Sequence, residues 1–193
     1  MRLGRIAEAI PYFAPEHHLA LRTLNDALST GRDISLPKPR RAAALWQAAQ
    51  ITRLQGIELM GTELAPDWFI FGGNFELGTL EEQIEWRSEQ GVLSASEAER
   101  TRFAAEPLEH NNRFHYRYIA TDLAWEAASL MPDNSDETAL VLCRAGTWLK
   151  NRDPKAADRF YKALVRRCRQ TPLGQQADTL RWFPELPGSK EEG

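Results

Sequence analysis

The sequence predicts an all-α chain. Three observations carry that prediction. Cap-and-proline signals that open helices recur along the chain. The stretch from Arg40 to Met60 is long, alanine-rich and free of breakers other than one glycine. Apolar residues elsewhere fall at spacings of three and four, the helical period. The 193 residues, 42% of them hydrophobic, suffice to bury a core without disulfides.

The elements follow in order. Pro15 fits the first turn of a helix that runs through Ala20, Leu24 and Leu28 and stops near Gly31. Leu36-Pro37-Lys38-Pro39 reads as a stiff extended connector, because each proline disfavours helix in the residue before it. In the helix from Arg40 to about Met60, Leu45, Trp46, Ile51, Leu54 and Ile57 spread around the wheel, which predicts cover on more than one side. Residues 66–78, with Trp68, Phe69, Phe71 and Phe75 beside Gly72 and Gly73, predict an irregular aromatic and glycine loop.

Thr79 with Glu82, and Ser94 with Glu97, match capping boxes that start two further helices. A helix over roughly 112–130 closes at Pro132. Ser135 or Asp136 caps the next, to about Lys150. Asp153-Pro154 opens a helix to about Cys168, and Thr171-Pro172 opens a short one towards Trp182. Residues 187–193 are polar and are expected to be disordered.

Small residues recur one face apart. Ala156, Phe160 and Ala163 form one such set, Ala120, Ala124 and Ala127 a second, and Ala20, Leu24 and Ala27 a third. Small residues seven apart let a neighbouring helix approach closely, and the large residue between them fills the space beside that contact. Over roughly 112–182 this pattern resembles the second helix of the tetratricopeptide repeat. Ala145-Gly146 is similar to the small pair of that family's first helix, and the Ala120 to Ala156 offset is close to its period of ~34 residues. Cys168 stands where the family places a proline, and residues 32–110 lack the pattern.

The resemblance implies antiparallel helix pairs and a non-catalytic module that binds a protein or peptide through a groove. One helical domain over 1–193 is expected, divisible into 1–110 with its loop insertion, helix pairs over 111–184, and a tail at 185–193.

Chemistry-bearing patterns are few. Lys155, Arg159, Lys162, Arg166 and Arg169 follow spacings of four and three, so they share one helix face, opposite Ala157, Phe160, Tyr161, Leu164 and Cys168. Between Arg144 and Arg169 nine basic residues accompany two acidic ones. The stripe suits an acidic partner; the plainer reading is a solvated face. Nine glutamates accompany three arginines between Glu76 and Glu109, which offers self-association of acidic segment with basic segment as an alternative. Asp67, Trp68, Phe69 and Asn74 are the expected lining of any pocket in the irregular loop.

His110 and His115 are five apart, off the spacing that puts two ligands on one helix face, so an enzyme or metal site there is the weakest reading. No cofactor fingerprint is present and no cofactor is expected. Cys143 and Cys168 are expected to be separate core thiols. The net charge of −3 and the lack of aromatic interleaving in the stripe argue against nucleic acid. No apolar run reaches membrane-spanning length and no signal peptide is seen, so a cytoplasmic location is expected.

Overall fold

Every regular element among the described residues is helical, in agreement with the all-α expectation. The structure is a computed structural model that describes residues 4–60, Glu89, 96–98, Thr101 and 115–186. The chain divides into two compact units: Met1–Gly61 with Tyr116–Gly193, and Thr62–His115. In the second, Thr101 Oγ1 donates to the Glu97 carbonyl at 2.9 Å, one helical turn back. The irregular loop at 66–78 and the Thr79 and Ser94 caps lie outside the described residues.

The first unit contains α1 (Ile6–Ala9), α2 (His18–Arg32), α3 (Lys38–Met60), α4 (Tyr116–Ser129), α5 (Asp136–Leu149), α6 (Pro154–Arg167) and α7 (Pro172–Leu180). Its helix starts follow the sequence logic in part. Asp153 Oδ1 accepts from the Ala156 amide at 2.8 Å, and Thr171 Oγ1 accepts from the Gly174 amide at 3.1 Å. Each such cap is worth about 1 kcal/mol.

Three local expectations are corrected. Pro15 opens a short 3-10 turn, Pro15–His17, and α2 begins after it. The extended connector is shorter than the prolines suggest. The Pro37 carbonyl already accepts from Arg41 N, in the first turn of α3, at 3.1 Å, and Pro39 sits inside that turn, where its missing N–H costs nothing. Ser135 holds the N-cap position of α5 without a side-chain cap bond; Thr138 Oγ1 instead reaches back to the Pro132 carbonyl at 2.7 Å.

Successive helices pack as neighbours. Arg117, at the start of α4, donates to the carbonyl of Trp148, at the end of α5, at 2.9 Å, so α4 and α5 run antiparallel. Tyr118 reaches the α6 cap Asp153 while Arg167, at the other end of α6, reaches Ala128 and Met131, so α4 and α6 run parallel. The α4–α5 turn is closed by Asn134, whose positive φ of 54° an asparagine tolerates. Its amide donates to the Arg167 carbonyl at 2.8 Å.

From Thr138 to Leu149 no residue of α5 is exposed, although the segment includes Arg144 and Thr147. Helix α3 is likewise covered by both α2 and α4. Its Gly56 lies against Tyr116, where a Cβ would come within 2.3 Å of the Tyr116 Cβ. The chain therefore leaves the first unit at the end of α3 and re-enters it close by, at the start of α4. Of the recurring small residues, Ala120, Ala124 and Ala127 are fully buried, whereas on α6 Ala157 and Ala163 are buried and Ala156 is only half-buried.

Candidate functional site

The basic face of α6 is built by periodicity and by its neighbour. Lys155, Arg159, Lys162 and Arg166 project to solvent, with Arg169 exposed just beyond the helix end. The opposite side buries Ala157, Phe160, Ala163, Leu164 and Cys168, as the spacing predicts. Tyr161 is half-buried at the boundary.

The stripe is not uniformly available. Arg159 Nη2 donates to Asp122 Oδ1 of α4 at 2.5 Å, and its guanidinium lies 4.8 Å from the Phe160 ring centroid and 5.3 Å from that of Trp125. Lys162 pairs with Asp158 one turn back, Nζ to Oδ2 2.5 Å. Parallel packing of α4 beside α6 brings Asp122 into reach, whereas Asp158 belongs to α6 itself. Lys155, Arg166 and Arg169 make no ion pair with an acid among the described residues. At 1.5 Å per residue, Lys155 and Arg166 stand about 16 Å apart along the axis.

Arg167, off the stripe, is structural. Its guanidinium donates to the Ala128 carbonyl at 2.9 Å, the Met131 carbonyl at 2.8 Å and Asp133 Oδ1 at 2.6 Å. It thereby gives the Met131 carbonyl a partner and the Ala128 carbonyl a second one beside Met131 N, at the end of α4.

At the other end of α6, Asp153 serves twice: one carboxylate oxygen caps the helix and the other accepts from the Tyr118 hydroxyl at 3.0 Å. Burial first, then the Asp153 charge and hydrogen bond, push the Tyr118 hydroxyl up to about 12. Cys143 and Cys168 are both free and fully buried. Burial pushes the Cys143 thiol up to about 12 and raises Cys168 as well, so neither is an activated nucleophile.

Asp67, Trp68, Phe69 and Asn74 lie outside the described residues, as does His110. His115 is half-buried just before α4. Among the described residues no group of three His, Cys, Asp or Glu side chains could hold a metal ion. None of the described helices is long and apolar enough to cross a membrane.

Sequence reading missed one feature. After α7 the chain turns at Arg181, φ 56°, and Trp182 to Leu186 fold back onto α5 and α6 with Phe183, Pro184 and Leu186 buried. The signal was present: Trp182-Phe183-Pro184-Glu185-Leu186 is too apolar for a solvated tail.

Comparison with protein families, curated proteins and solved structures finds no match to this chain.

Proposed function

We propose that this protein is a non-catalytic interaction module of tetratricopeptide-like build that docks an acidic protein or peptide segment. The observation that carries this reading is the exposed set of Lys155 and Arg166 on one side of a capped helix and Arg169 just beyond its end, without acidic partners among the described residues. Three exposed cations carried by one helix and its C-terminal turn attract a carboxylate-rich segment. Arg159 and Lys162, already paired within the fold, position the surface more than they bind. The parallel α4 and α6 with antiparallel α5, and the buried Ala120, Ala124 and Ala127, support the helix-pair reading.

The test is binding of the full chain to a labelled decaglutamate peptide, beside the Lys155→Glu/Arg166→Glu/Arg169→Glu variant. Wild-type binding that weakens with salt and falls at least ~10-fold in the variant supports the docking face. Equal binding by both proteins, or none by either, removes it.

A further inference from the structure

We propose that the groove on α5 and the inner side of α6 is a recognition site for an extended aromatic–proline–x–aliphatic segment of a partner protein, and that residues 182–186 of this chain are its built-in competitor. This site stands apart from the basic face, and the inference does not rest on it.

Local geometry shows what the groove accepts. Residues 183–186 carry no helix, so the segment lies on the helices as irregular chain. Phe183, Pro184 and Leu186 point inward and Glu185 faces solvent. The Phe183 ring sits over Gly146, where any Cβ would fall 2.1 Å from its Cζ, so the glycine forms the floor of an aromatic socket. Tyr161 forms the wall, edge-on to Phe183 at 6.1 Å and tilted against Trp182 at 5.5 Å. Such a socket selects a flat ring followed by a kinked, pre-extended residue, and proline supplies the latter at low ordering cost.

The attachment is made by side chains. Among the described residues, no backbone–backbone hydrogen bond ties 182–186 to the rest of the fold. The segment's polar contact with the helices, among the described residues, is a weak Cys143 Sγ to Pro184 carbonyl approach at 3.9 Å. The segment can therefore leave without breaking a helix or a backbone ladder. It hangs from Arg181, which holds a left-handed conformation that side-chain-bearing residues disfavour and whose relaxation would favour release. Tethering keeps the segment at an effective concentration on the order of millimolar, so an outside segment must compete with it.

The experiment titrates the full chain with a fluorescent peptide of sequence Arg-Trp-Phe-Pro-Glu-Leu. Phe183→Ala weakens the built-in competitor, and adding Gly146→Val closes the socket. The Phe183→Ala chain should bind the peptide at least ~10-fold more tightly than wild type, and the double variant should lose that binding while keeping a helical circular dichroism spectrum. A helical Phe183→Ala chain that binds no better than wild type overturns the proposal, as does a double variant that binds as well as the single one. If Phe183→Ala does not fold, wild type decides: excess peptide must raise hydrogen exchange at 182–186, and unchanged exchange overturns the proposal. Exchange of 182–186 between two copies, seen as a dimer that the peptide does not dissociate, would assign the groove to a second copy and overturn the partner reading.

Discussion

Trp46 of α3 stacks on Trp148 of α5, ring centroids 5.5 Å apart and planes 10° from parallel. The pair joins the helices on either side of residues 61–115. Trp148 also gives its carbonyl to Arg117, so the stack and the α4–α5 hydrogen bond share one residue. Trp46→Leu should keep part of the apolar burial and lose the ring contact. A stacked pair is worth about 0.5–1.5 kcal/mol beyond its area, so we expect a loss of about 1–2 kcal/mol in urea unfolding, with the near-ultraviolet signal of the pair reduced. No change in midpoint or signal would show that the stack contributes nothing.

Arg167 closes the end of α4 through two carbonyls and Asp133. Its side chain is largely covered, so the bonds are shielded from water. Arg167→Met should cost about 2–3 kcal/mol, since hydrogen bonds from a charged donor are worth more than neutral ones, the Met131 carbonyl loses its partner and the Ala128 carbonyl loses one of two. Asp133→Asn should cost under about 1 kcal/mol, because that carboxylate is exposed. A thermal melt of both variants separates the two contributions; equal losses would mean that the ion pair, not the carbonyl closure, holds the turn.

The thiols give a third expectation. Cys143 and Cys168 are fully buried and raised in pKa, so neither should react with a thiol reagent in the native protein at pH 8. Both should react at once in denaturant. Labelling kinetics followed by mass measurement check this. Prompt native labelling of Cys143 in particular would mean that the cover provided by Pro184 opens readily, an observation that also bears on release of 182–186.

How much of this was legible in the sequence depends on the kind of force involved. Asp153-Pro154 and Thr171-Pro172 announce their helices because a cap and an N1 proline act within one turn. The α6 stripe is legible because burial follows the 3.6-residue period. Asp122 as the partner of Arg159 was not, because that pairing depends on α4 and α6 being parallel neighbours 37 residues apart in sequence. Gly146 read as a small helix-packing residue, yet it receives a ring from Phe183, which only the turn at Arg181 makes possible. Pro37 and Pro39 mislead for a local reason: a proline before or within a first turn is compatible with helix, and the helix here already begins at Lys38.

Tyr118 and Asp153 set the last expectation. The Tyr118 hydroxyl, ordinarily near 10, is raised to about 12 in the fold, by burial and by Asp153. A raised folded value means that the folded protein holds this proton more tightly than the unfolded chain. The stabilisation is complete below pH 10 and disappears as pH rises towards 12. Cys143, raised from 9 to about 12, acts in the same direction and begins one unit lower. Stability should therefore fall steadily from about pH 9 upward. Tyr118→Phe should flatten the part of the fall above pH 10, which isolates the tyrosine. Asp153→Asn should lower the Tyr118 titration towards its ordinary value while keeping a cap-competent oxygen, so absorbance titration of the phenolate distinguishes the carboxylate's charge from burial. An unchanged titration in Asp153→Asn would assign the whole shift to burial.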